Sequence, residues 1–127
     1  GIYDKLLTRP GQVTVHRVDK RFLDIGTPAD YLATHRSISA APTSKEFSSG
    51  HRCLVHPSAR LDRSVLWNDV TVGAHCRVTN CVLADGVRLP DGTNLDRHTV
   101  VQMPAETQAE TTMFGVRQLG DLLIAQI

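Results

Sequence analysis

Hydrophobic positions in the middle of the chain recur at a constant spacing, so that this region can be written in rows of seventeen that start at positions 55, 72 and 89. The first, seventh and twelfth positions are aliphatic in every row: Val55, Val72 and Leu89; Leu61, Val78 and Leu95; Leu66, Leu83 and Val100. Within a row an apolar residue returns after six positions, which matches neither the helical period nor simple strand alternation. The pattern predicts triangular coils of short strands and corners, with matching positions of successive coils stacked.

The composition agrees with a narrow interior. Hydrophobic residues make up 41% of the chain and only six residues are aromatic, so Val, Leu, Ile and Ala must form the core. The predicted corners are the turn-forming residues Pro57, Gly73, Gly86 and Asp91-Gly92. The third row is the least regular, because Thr99 and His98 stand in columns that are otherwise Val and small residues. We expect this row to lie near an end of the stack.

The repeat, from Cys53 to Val101, resembles the hexapeptide-repeat family, which folds as a left-handed parallel β-helix. The left hand is implied by this resemblance. Many acyltransferases and the tails of sugar nucleotidyltransferases share the fold, so the resemblance specifies a fold better than a function. The expected fold class is mainly β: a left-handed parallel β-helix of about three coils, preceded by a short α/β segment.

Upstream of the repeat the pattern changes. Residues 2–8 predict a short helix that stops before Pro10-Gly11, and residues 12–18 and 21–24 predict two short strands. Without the rest of their sheet, three alternatives are open for these strands: pairing with each other, pairing with a neighbouring chain, or disorder. A second helix should begin with Thr27 as N-cap, Pro28 as first helical residue and Asp30 at the positive end of the dipole, and run to about residue 36.

The chain therefore divides into four predicted segments. Residues 1–37 form the α/β segment, 38–52 a linker rich in Ser, Ala, Thr and Gly, 53–103 the β-helix and 104–127 a tail. Within the tail, residues 104–112 are loop-like. Residues 112–117 and 122–125 are predicted to pair as a hairpin around 118–121 that caps the open end of the solenoid.

The stretch FLDIGTPADYL, Phe22 to Leu32, resembles the segment near the end of the catalytic domain of sugar nucleotidyltransferases. Mannose-1-phosphate guanylyltransferases look most similar, since YDKLLTRPG from Tyr3 to Gly11, followed by VTVHRV, also fits their approach to this motif. The resemblance implies an enzyme that joins a nucleoside triphosphate and a sugar 1-phosphate into a nucleotide sugar.

In that family the aspartate matching Asp24 helps to hold the catalytic magnesium ion, together with an acid from much earlier in the chain. A hard cation bridging phosphates needs anionic oxygen ligands at fixed positions, and a strand end supplies one. The alternative is that Asp24 only caps the Gly-Thr-Pro turn that follows it.

The family's glycine-rich phosphate loop and sugar-phosphate lysine have no counterpart in these 127 residues. We therefore expect the C-terminal part of a larger enzyme, with no catalytic and no cofactor-binding residue of its own. Magnesium, the nucleoside triphosphate and the sugar 1-phosphate would bind the parent enzyme only. The β-helix would serve homo-oligomerisation or regulation, so the segment alone should assemble without turnover.

A second class of function is a hexapeptide acyltransferase, or a non-catalytic trimeric scaffold of the same shape. Such acyltransferases use a histidine as general base, and His56, His75 and His98 lie in the repeat. They occupy three different columns, and no acceptor-binding insertion accompanies them. We expect solvent-facing or corner histidines instead.

A zinc site would group Cys53, His56, Cys76 and Cys81, since thiolate and imidazole suit zinc. Cys76 and Cys81 fall in columns that hold Ala, Thr and Ser in other rows, so small interior fillers are the favoured interpretation. The odd number of cysteines without a secretion signal predicts reduced thiols in a cytoplasmic protein.

Two surface features remain. Trp67 is predicted to point outward at a corner and to mark an interface. The cationic residues His16, Arg17, Lys20 and Arg21 are most simply a solvated face. A net charge of +1 and the lack of a long apolar run give no reason to expect a nucleic-acid or membrane partner.

Overall fold

The computed structural model describes residues 1–38, 47–103 and 115–127, which contain two helices and twelve short strands. Helix α1 spans Ile2–Leu7 and helix α2 spans Pro28–Ile38. The strands are β1 (Phe47–Ser49), β2 (Leu54–Val55), β3 (Arg60–Asp62), β4 (Ser64–Leu66), β5 (Thr71–Val72), β6 (Arg77–Thr79), β7 (Val82–Leu83), β8 (Arg88–Leu89), β9 (Asn94–Asp96), β10 (His98–Gln102), β11 (Val116–Leu119) and β12 (Leu122–Gln126).

Ten of these strands form the three sides of a parallel β-solenoid with about three coils. One side is β2-β5-β8, the second is β3-β6-β9, and the third begins β1-β4-β7-β10. Every parallel pair has the offset of one predicted row, as in Val55 opposite Val72, Leu61 opposite Val78 and Leu66 opposite Leu83. The predicted columns are therefore the observed cross-strand partners, and the predicted mainly β solenoid is confirmed.

The interior of the solenoid is filled by the aliphatic columns. Leu66, Leu83 and Val100 stack on one side and are at most 1% exposed. This interior also holds the buried polar residue Ser64: its hydroxyl donates to the carbonyl of Asp62 at 2.8 Å and accepts from the amide of Cys81 at 3.0 Å. A small polar residue is accommodated here because the backbone satisfies both its donor and its acceptor functions.

The corners are built from residues with left-handed backbone conformation, which recur at the same spacing as the columns. Arg63, Asn80 and Arg97 form one corner column, with φ between 46° and 59°. This corner holds neither Gly nor Pro, so turn chemistry did not indicate it. The predicted corner at Gly73 has a different cause: a Cβ there would clash with Asp91 Oδ1 and lie 2.8 Å from Asp91 N, so the stacked turn requires glycine.

The solenoid begins earlier than predicted. Strand β1 lies inside the segment expected to be a linker, and Phe47 is paired with Ser64 at the same row offset and packs on the core. The rest of the expected linker, residues 39–46, lies outside the described residues. The extra strand was missed because three residues of Phe-Ser-Ser carry little hydrophobic signal on their own.

A hairpin of β11 and β12 closes the last coil. Strand β12 runs antiparallel to β10, with His98 opposite Gln126, and its Leu122 and Ile124 enter the core. The hairpin starts at Val116, whereas the sequence predicted its first strand at 112–117, of which 112–114 lie outside the described residues. The predicted loop 104–112 lies there as well.

The two strands predicted at 12–18 and 21–24 are absent from the structure, and residues 8–27 form neither helix nor strand. Helix α1 is present and ends at Leu7. Alternating apolar residues such as Val13 and Val15 are exposed here, because no strand in 1–38, 47–103 or 115–127 pairs with this backbone. That prediction was wrong for the chain on its own.

Among the described residues, no helix is both long and apolar enough to span a membrane.

Candidate functional site at the junction of helix and solenoid

Helix α2 begins as its sequence predicts. The hydroxyl of Thr27 accepts a hydrogen bond from the amide of Asp30 at 3.1 Å and donates one to the Asp30 carboxylate at 2.7 Å. The N-cap satisfies a free backbone amide, and the carboxylate lies at the positive end of the helix. This reciprocal pair fixes where the FLDIGTPADYL stretch turns into a helix.

The helix packs on the outer face of the solenoid. Leu32, which is only 5% exposed, lies against Val65 of β4 and Val82 of β7, with Tyr31 and Ile127 beside them. Val65 and Val82 alternate with interior residues and therefore point outward, towards the helix. The nucleotidyltransferase-like motif was expected to pack as a strand and helix of a truncated α/β domain, but only its helix forms and it packs on the solenoid.

A guanidinium group anchors the other end of the helix. Arg36 Nη2 donates to the backbone carbonyl of Arg63 at 2.9 Å and to Asn80 Oδ1 at 2.7 Å, both at the left-handed corner column. The amide nitrogen of Asn80 in turn donates to Asp96 at 3.0 Å. Arg36 thus holds α2 on the solenoid by hydrogen bonds, as Leu32 does by apolar packing. Sequence reasoning missed this role because residues 36 and 80 are far apart along the chain.

Trp67 is half-exposed at the corner, as predicted, and its interface partner lies within the same chain. The ring of Tyr31 approaches it edge-on, with 6.1 Å between centroids and 75° between planes. A groove of about 370 Å³ beside the two rings is also lined by His35, Ser48 and Asp85. The aromatic contact therefore joins α2 to the coil edge.

Asp24 lies exposed in the irregular segment before α2 and not at a strand end. The described residues contain no group of three or more His, Cys, Asp or Glu side chains that could hold a metal ion. Because magnesium needs several oxygen ligands in fixed geometry, Asp24 does not make a magnesium site with these residues alone. Its ligand role stays a prediction for a larger enzyme.

The three repeat histidines occupy different environments. The ring of His56 is held by Ser58, whose hydroxyl lies 2.8 Å from Nδ1, and the same hydroxyl accepts from the amide of His75 at 2.9 Å. His56 and His75 are exposed, as expected. His98 is different: it shares the inward face of β10 with Val100 and is half-buried, so the prediction of a solvent-facing or corner residue was wrong for it.

Each cysteine donates to a backbone carbonyl. Cys53 Sγ is 2.8 Å from Trp67 O, Cys76 Sγ is 3.1 Å from Pro90 O, and Cys81 Sγ is 3.0 Å from Thr79 O. Cys76 and Cys81 are fully buried, which agrees with interior fillers, and all three are free thiols. Burial raises the pKa of the Cys81 thiol, which disfavours the thiolate that zinc requires.

The basic residues at 16, 17, 20 and 21 are exposed, in line with a solvated face. Arg17 pairs with Asp19, at 3.3 Å and with both side chains almost fully exposed. Such a pair is screened by water and adds little to stability.

The architecture is that of a hexapeptide-repeat protein: a parallel β-solenoid with a helix docked on one side. A family model described as "GlmU-like, C-terminal hexapeptide" matches residues 37–108, more than half of the chain, and the chain belongs to this family. The match is consistent with left-handed winding. Neither the curated proteins nor the solved structures gave a match.

The family match covers the whole solenoid, including β1, which the predicted boundary at 53 excluded. It supports the prediction of a hexapeptide-repeat segment related to nucleotidyltransferases. It carries no information on a mannose-1-phosphate substrate.

Proposed function

We propose that this chain is the C-terminal part of a sugar nucleotidyltransferase, whose β-helix serves homo-oligomerisation or regulation. The observation that carries the proposal is the junction: the helix that ends the nucleotidyltransferase-like FLDIGTPADYL stretch is docked on a GlmU-like hexapeptide solenoid. A motif and a fold that resemble parts of one enzyme class thus meet in one packed unit.

In the whole enzyme, an oxygen of the sugar 1-phosphate would attack the α-phosphorus of the nucleoside triphosphate. A new P–O bond forms, the bond between the α-phosphorus and its bridging oxygen breaks, and pyrophosphate leaves with that oxygen. Magnesium would offset the charge that develops on the phosphates. Asp24 would contribute one carboxylate to that ion, and mannose 1-phosphate with a guanosine nucleotide is the proposed substrate pair.

The contribution of this chain is positional. Leu32, Tyr31 and Arg36 fix α2 against the solenoid through an apolar contact, a ring contact and two hydrogen bonds. A catalytic domain attached through α2 would therefore be held in a defined orientation relative to the β-helix. Any assembly made through the β-helix would orient the catalytic domains in turn.

The test uses the full gene product that contains this chain. With mannose 1-phosphate, GTP and magnesium, we expect release of pyrophosphate, and Asp24→Asn should lower the rate on the order of 10²-fold because one anionic ligand is lost. Asp19→Asn is the matched control, since Asp19 is an exposed carboxylate in the same segment, and it should leave the rate unchanged.

Two results would contradict the proposal. One is a full gene product without pyrophosphate release from any nucleoside triphosphate and sugar 1-phosphate pair. The other is a product that consumes an acyl thioester, with the rate abolished by His56→Ala or His75→Ala, which would establish the acyltransferase function instead.

A further inference from the structure

Two arginines face each other on the second side of the solenoid. Arg60 of β3 and Arg77 of β6 are directly paired in register, and both are exposed on the outer face. Paired positions on neighbouring strands lie about 4.8 Å apart along the stack. Like charges at directly opposed positions destabilise a sheet, so this arrangement costs free energy unless something offsets it.

Two other guanidinium groups of the solenoid have carboxylate partners. Arg52 binds both carboxylate oxygens of Asp69 at 2.6 Å, and Arg63 pairs with Asp62 at 2.8 Å. Within the described ranges, the side chains of Arg60 and Arg77 have no ion pair and no hydrogen bond. The pair therefore has donor capacity that the described part of the chain does not use.

The two side chains border a groove of about 440 Å³ with a predominantly polar lining that includes Ser58 and His75. The corner beside them is fixed, because the Ser58 hydroxyl binds both the amide of His75 and the ring of His56. A groove with a fixed wall and two free guanidinium groups is preorganised for an anion, since few groups must be ordered on binding.

We propose that this groove binds a phosphate-bearing small molecule, with Arg60 and Arg77 as the ligating residues. Guanidinium groups bind phosphate oxygens in bidentate fashion, and a group with two or more negative charges offsets the repulsion between the two arginines. A ligand with two linked phosphates matches two guanidinium groups one strand spacing apart. The site lies outside the proposed catalytic machinery, and the inference does not depend on the proposed nucleotidyltransferase activity.

The probe is inorganic pyrophosphate, titrated calorimetrically into the chain at constant ionic strength. We expect saturable binding that Arg77→Gln weakens by about tenfold or more, because one bidentate contact is lost. Arg88→Gln is the matched control: Arg88 is also an exposed arginine on a solenoid strand, but on another side, and the affinity should stay within about twofold. Circular dichroism should show that Arg77→Gln is folded and at least as stable as the parent, since repulsion is removed.

Four outcomes would overturn the site. Pyrophosphate could fail to saturate at millimolar concentration, or bind Arg77→Gln as tightly as the parent. Citrate, a carboxylate probe of similar charge, could bind equally well, which would remove the phosphate specificity. Sedimentation could show that Arg77→Gln dissociates an oligomer while pyrophosphate does not bind, which would make the arginine pair a contact between copies.

Discussion

The solenoid and the segment 1–27 differ in whether their apolar residues are buried. In the solenoid, columns such as Leu66, Leu83 and Val100 are buried, and each backbone strand is paired with the coil above or below. In the segment 1–27, large apolar side chains including Val15 and Phe22 are more than four-fifths exposed. Residues 12–18 alternate apolar and polar residues and form no strand, whereas the solenoid repeats its apolar positions every seventeen residues and forms packed strands.

The difference shows that a β pattern specifies structure only where a partner strand is within reach. Each solenoid strand finds its partner one coil away along the chain, so hydrogen bonds and burial come from the chain itself. Residues 12–18 have no such partner among the residues that the structure describes, and one strand alone leaves its amides and carbonyls to water. Helices need no such partner strand, because their hydrogen bonds are local: α1 forms without a buried side chain, and α2 packs Leu32 on the solenoid.

The largest expected effect is in the middle coil. Leu83→Ala should lower the free energy of unfolding by about 2–5 kcal/mol, because the fully buried side chain leaves a cavity between two stacked coils. The loss of stability is measured by urea denaturation, monitored by circular dichroism. Leu54→Ala is the control, since Leu54 is 68% exposed on a strand of another side of the solenoid and its loss should change stability little. Equal losses in the two variants would contradict the stacked core.

A smaller effect is expected for the contact between helix α2 and the solenoid. Leu32→Ala should weaken the docking of α2 by about 1.5–3 kcal/mol, the value of burying one leucine, without moving the unfolding midpoint of the coils. The fluorescence of Trp67, the single tryptophan, measures the docking: loss of the contact with Tyr31 should shift the Trp67 emission to the red. Leu7→Ala removes an exposed leucine in α1 and should leave the emission unchanged. An unshifted spectrum in Leu32→Ala would mean that α2 does not pack there in solution.

The smallest effect concerns the exposed corner pair Arg52 and Asp69. The hydrogen bond from Arg52 lowers the pKa of Asp69, so the pair stabilises the fold above the ordinary aspartate pKa. That contribution should disappear as the pH falls through the lowered value. In Arg52→Gln the Asp69 pKa, followed by NMR, should rise towards its ordinary value. Because both groups are exposed, the change in stability should be slight and shrink further in high salt. An unchanged Asp69 pKa would show that the pair does not form.

Much of the solenoid could be predicted because each coil repeats the same physical requirement. Inward columns must be aliphatic in every row, so three rows provide three independent observations of each position. The column of Arg63, Asn80 and Arg97 repeats as well, but these positions share a left-handed backbone conformation. The residue types at these positions do not predict that conformation. The docking of α2 was not predicted either, because the contact between Arg36 and Asn80 depends on a fold that brings distant residues together.

The candidate site was less accessible to sequence reasoning than the fold. Resemblance selected Asp24, which the structure leaves exposed and, within the described ranges, outside any group of three or more potential metal ligands. The arginine pair at 60 and 77 emerges only when the register between coils places the two side chains next to each other. Sequence spacing alone gives their separation along the chain and says nothing about whether an acid lies within reach.

The constant register has a consequence for how such a chain can change its size during evolution. Duplication of one complete coil would lengthen the rod by a single strand spacing, about 4.8 Å, and every new side chain would meet a neighbour of the kind it already has. Insertions of other lengths would rotate the corners out of line. Strand β12 closes the series because it runs against β10 and offers no start for another parallel turn. The length of the solenoid before its terminal hairpin can therefore change only in steps of one strand spacing.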